Sequence, residues 1–123
     1  MSTDFRKQMH IVKERGTYRI FHEVTPGYTV SVQASESHYC IPRKTLPRPE
    51  DYDAFEICIA YNGEYINPHT IQGFPEEYCD FFYEEGREAG WVTTKKVQEI
   101  VDWLRTHPIY TPREICLYCG RSS

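Results

Sequence analysis

Four residues have the types and spacing to ligate a metal or carry thiol chemistry: Cys116 and Cys119, a C-x-x-C pair followed by Gly120, and His38 and Cys40, an H-x-C pair earlier in the chain. Together they would make a Cys3His zinc set, since a closed structural site needs four ligands. The one-residue gap between His38 and Cys40 is not a usual zinc spacing. A redox dithiol is the other possibility for Cys116 and Cys119. Its reactive thiol belongs at a helix N-terminus, where the dipole favours a thiolate, whereas here both sulfurs fall in the last turns of an expected helix over residues 112–119. The reading adopted is that these thiols behave as small buried hydrophobes, with no metal and no cofactor. A zinc-stabilised adaptor is the alternative.

Nucleophilic catalysis would pair Cys40 with His38 as base. On a strand, residues two apart share a face, but their Cβ atoms stand ~6.5–7 Å apart, too far for direct proton transfer without a turn. The chain has no glycine-rich phosphate loop, no paired carboxylates in a pocket-like context and no motif of a common hydrolase or transferase. No enzymatic activity is expected, and a thiol enzyme ranks third among the readings.

Charge is segregated along the chain. Residues 1–48 have a net charge of +4, residues 49–90 have eleven acids against Arg87 alone for a net of −10, and residues 91–123 have +2. Nine of the eighteen aromatics also fall in the acidic third. The basic residues form no stripe, so direct nucleic-acid binding is not expected. An acidic surface with tyrosines instead suits a basic protein partner, because carboxylates steer the encounter and aromatic rings supply rigid contact area. The residues that would make this surface are Glu76, Glu77, Asp80, Tyr83 and Glu84.

The elements that must position these groups follow from periodicity. Val30, Val32 and Ala34 alternate with Thr29, Ser31, Gln33 and Ser35, which predicts a strand with one buried and one hydroxylated face. Thr25-Pro26-Gly27 predicts a reversal that folds residues 17–24 back beside it, and residues 9–13 read as a first strand. Three prolines make residues 41–51 a loop. Residues 54–61 place Phe55, Ile57, Ile59 and Tyr61 on one face and Cys58 and Ala60 on the other, a strand covered on both sides. Asn62-Gly63 then predicts a hairpin into a short edge strand at 64–67. Pro75, Glu76 and Glu77 suit a helix start and Gly86 its stop, predicting a short helix over about residues 75–84 with Tyr78, Phe81 and Phe82 inward. Val97, Ile100, Val101 and Leu104 predict the main helix, residues 94–106, capped by Thr93 or Thr94. Trp103 projects away from that stripe and needs shelter from another segment.

The expected architecture is therefore α+β in a single domain, residues 1–123: an antiparallel meander sheet of four to five strands, one main C-terminal amphipathic helix and two short marginal helices. No apolar run approaches the ~20 residues of a membrane helix, and the odd number of cysteines reads as reduced thiols, so an intracellular, cytoplasmic protein is expected. The chain is similar in size and charge to the small acidic inhibitors encoded by phages and mobile elements, a likeness that covers no motif. The expected function is a small interaction or inhibitor protein that binds a basic surface, where carboxylates could occlude a nucleic-acid site by standing in for phosphates.

Overall fold

The structure, a computed structural model, describes residues 4–12, 17–24, 27–82 and 88–111, without the side chains of residue 12 and residues 17–23. Tyr28–Ala34 (β3), which alternates apolar with polar residues, and Ala54–Tyr61 (β4), apolar on both faces, form an antiparallel pair, with Val30 opposite Ile59 and Val32 opposite Ile57. All four side chains are at most 1% exposed. β3 pairs in turn with Thr17–Glu23 (β2), and β2 with His10–Val12 (β1), all antiparallel. Asn62 and Gly63 take φ of 51° and 83°, the paired positive values of the tight turn that Asn-Gly favours, and return the chain as the two-residue strand Glu64–Tyr65 (β5). This strand stops short of residue 67 because Asn67 opens a 3-10 turn over Pro68–Thr70, accepting the His69 N–H with its side chain.

The meander is joined by a strand that the sequence pattern does not announce. Glu88–Thr93 (β6) pairs antiparallel with β4 on the same edge as β5, completing a six-stranded sheet. Phe55 lies opposite Val92 and Ile57 opposite Ala89, so two steps along β4 match three along β6 and the strand bulges at Gly90–Trp91. Ala89 and Val92 both face the core at 0% exposure, and their three-residue spacing hides the period of two that would mark a strand.

Thr94–Thr106 (α2) follows β6 without a linker, its N-terminus capped by the Thr93 hydroxyl, which accepts the Lys96 N–H. Val97, Ile100, Val101 and Leu104 are at most 2% exposed and pack over β4 and β6. Each such side chain contributes ~1.5–3 kcal/mol on burial, which makes this stripe the main apolar cover of the sheet. Trp103 leans instead on Phe74, edge to face at 5.1 Å, and carries the His107 ring stacked on it at 4.0 Å. The fold class is thus the α+β sheet-and-helix arrangement expected. The helix expected over residues 112–119 lies outside the described residues, and no described helix is long and apolar enough to cross a membrane.

Ile100 sits at the centre of this packing with 0% exposure. Ile100→Ala is expected to lower unfolding stability by about 2–5 kcal/mol, measured by urea denaturation. A loss under about half a kcal/mol would mean that the packed face of α2 is another one.

Candidate interaction surface

The acidic segment folds with its charges out and its rings in. Its helix, Glu76–Cys79 (α1), buries Tyr78 and Cys79 and leaves Glu76 and Glu77 exposed, with Asp80 exposed at its end. Residues 75–84 would make a longer helix, but the chain leaves it at Asp80 because the Phe82 backbone is used elsewhere. Phe82 forms an antiparallel bridge with Ala89 at the outer edge of β6, and its carbonyl accepts from His69 Nε2 at 3.0 Å. A helical Phe82 could do neither. Tyr83 and Glu84 lie outside the described residues.

The carboxylates of this corner differ in their pairing. Glu77 meets Lys96 at 3.3 Å, and Lys96 also reaches Glu99 at 3.4 Å, while the Tyr78 hydroxyl donates to Glu99 at 3.2 Å. Burial, and then the Glu99 charge, push the Tyr78 phenol up from its ordinary value. Glu76 and Asp80 form no ion pair among the described residues. They are therefore the exposed charges of α1 that an outside cation would meet.

Of the acidic segment's aromatics, Tyr52, Phe55, Phe74, Tyr78 and Phe82 are buried and Tyr61 and Phe81 half-buried, which leaves Tyr65 as the exposed one among the described residues. The larger exposed aromatic surface comes from outside that segment. After β3 the chain crosses the sheet, and Tyr39 reaches β6: its carbonyl accepts the Trp91 N–H at 2.8 Å and its own N–H donates to the Glu56 carboxylate at 2.9 Å. The two rings pack at 4.8 Å with their planes tilted by 31°. Tyr39 is 39% exposed and Trp91 47%. The Arg43 guanidinium lies 5.2 Å from the Tyr39 ring centroid.

Trp91 has φ of 54°, in the left-handed region that bulky side chains avoid. Such a conformation costs on the order of 1–3 kcal/mol and persists only where the surroundings fix it, which here is the work of the bulge and the Tyr39 carbonyl. Gly90 makes the contact possible: a Cβ there would stand 2.8 Å from the Tyr39 Cβ. Sequence reasoning did not find this pair, although a glycine followed by tryptophan just ahead of a helix is the composition of a bulged strand.

The candidate ligands of the metal and thiol readings are turned to local structure. His38 Nδ1 lies 2.6 Å from the Ser35 hydroxyl, a contact across one turn. Cys40 is 1% exposed and its Sγ–H points at the carbonyls of Ser35 and Pro42, 3.1 and 3.4 Å away. Burial pushes its thiol up, against the thiolate that nucleophilic or metal chemistry needs. Among the described residues no three His, Cys, Asp or Glu are grouped to hold a metal ion, and Cys116 and Cys119 lie outside those residues. The chain matches no family model, no curated protein and no solved structure.

Two outcomes follow from these contacts. Gly90→Ala is expected to cost about 1–3 kcal/mol in urea unfolding, because the added methyl overlaps Tyr39 where backbone, not a flexible tip, would have to move; an unchanged midpoint would mean that the 35–40 loop does not rest on β6. Cys40 is expected to resist iodoacetamide at pH 8 in the native state and to react fully in denaturant, read by peptide mass mapping. Rapid native alkylation at Cys40 would restore the thiol-enzyme reading.

Proposed function

We propose that the protein is a small interaction or inhibitor protein that binds a basic surface on a protein partner, through the acidic side formed by α1 and its surroundings. The observation that supports this most is the exposure of Glu76 and Asp80, without ion pairs among the described residues, on a helix whose apolar side chains are all committed to the core. A helix that served only to fill the sheet margin would not need exposed acids on its outward face, within a segment of net charge −10. Opposed charges of this kind raise association rates and select against acidic partners. A partner surface that normally holds phosphates is the kind most complementary to such a face, so binding there would compete with nucleic acid.

The test is kinetic binding to the basic partner recovered by affinity capture, at low and at physiological salt. Glu76→Lys with Asp80→Lys is expected to slow association about tenfold with little change in dissociation, and the parent's association rate is expected to fall as salt shortens the screening length to ~8 Å. Circular dichroism should show the double variant folded, since neither side chain faces the core. Association as fast as the parent's at both salt concentrations would make the acidic face a solvated surface and remove the reading's main support.

A further inference from the structure

The exposed pair of Tyr39 and Trp91 is linked to the acidic helix through the strand that carries Trp91. Phe82, close behind α1, bridges to Ala89, two residues before Trp91 in β6. The segment that follows α1 and the strand that carries Trp91 thus meet at one edge of the sheet. Among the described residues the Trp91 ring contacts that of Tyr39, and nearly half of its surface is open. We infer that this pair is an anchor site for an arginine side chain of the partner, the guanidinium laid on the open indole face of Trp91. The inference rests on the basic-partner reading and adds to it a specific contact, the side chain it takes and the residue that takes it.

Three observations support that occupant. Tryptophan is the strongest side-chain acceptor for a cation over its ring, and arginine is the cation that most often takes this place. The chain already uses the same chemistry on the neighbouring ring, where its own Arg43 lies over Tyr39. The two segments that carry the pair, with the β4 residue Glu56 that accepts the Tyr39 N–H, contribute three carboxylates, Glu36, Glu56 and Glu88, against Arg43 and Lys44, an excess of acid that favours a further cation there over a phosphate. The strain at Trp91 fits a residue retained for contact: glycine or asparagine would satisfy φ of 54° more easily, and neither offers a π face.

The experiment uses the full chain, isotopically labelled, titrated with octa-arginine, octa-lysine and a twelve-nucleotide oligothymidylate as probes. The indole N–H resonance of Trp91, assigned by its loss in Trp91→Phe, reports on the site, and the amide spectrum reports on folding. Octa-arginine is expected to shift that resonance saturably and to bind more tightly than octa-lysine. Trp91→Asn, which tolerates the left-handed conformation, is expected to weaken octa-arginine binding about fivefold and to erase the preference over octa-lysine, while Trp91→Phe stays within about twofold of the parent. An unshifted indole with Trp91→Asn binding like the parent would overturn the anchor site; if Glu76→Lys with Asp80→Lys still weakens binding, the basic-partner reading stands without it. No binding of octa-arginine, or binding that neither variant changes, would overturn both. Tighter binding of oligothymidylate than of octa-arginine would make single-stranded nucleic acid the occupant and would likewise overturn the proposal.

Discussion

β6 can close the edge of β4 with both Ala89 and Val92 in the core only by taking up one residue more than its partner. The rest of the molecule is arranged around that mismatch. The extra residue is absorbed at Gly90–Trp91, where the backbone turns to positive φ and places a large ring on the side of the sheet away from α2. The loop after β3 crosses to meet it, and a glycine is needed at 90 for the approach. Val92 is then delivered under α2, which begins immediately after β6 and lays its stripe on β4 and β6 together. One local irregularity thus supports the core on one face and presents an aromatic contact on the other. Its strain, on the order of 1–3 kcal/mol, is offset by the burial of the two inward residues and the α2 stripe above them.

Elements whose pattern is internal to the strand or helix were legible in the sequence. β3 alternates, β4 is a short run apolar on both faces, Asn62-Gly63 specifies its own turn, and α2 carries a stripe and a cap at the boundaries found. Elements shaped by a partner were not. β6 has its inward residues three apart because β4 sets the register, and α1 ends early because Phe82 pairs with Ala89. The shelter of Trp103 by Phe74 and His107 depends on where the chain passes after β5 and after α2, which no local pattern states.

The candidate site divides the same way. That Glu76, Glu77 and Asp80 point outward followed from helical spacing, since a short amphipathic segment must turn its apolar residues to the sheet. That the acidic segment's rings are mostly interior did not follow from composition, because composition counts aromatics without saying which of them the core consumes. The exposed pair comes from two segments outside the acidic stretch, brought together by a crossing loop and one backbone hydrogen bond. His38 and Cys40 show the converse: a spacing that suggests chemistry is satisfied by Ser35 and by nearby carbonyls.

The clasp between the crossing loop and the bulge is therefore what most needs direct measurement, and native-state hydrogen exchange at the Trp91 amide provides it. Exchange slowed to a rate comparable with amides in the β3–β4 ladder is expected, because that N–H donates to the Tyr39 carbonyl at 2.8 Å and opens only when the loop leaves β6. Exchange at the rate of an unprotected amide, with the β3–β4 ladder still protected, would contradict the clasp and with it the placement of both rings.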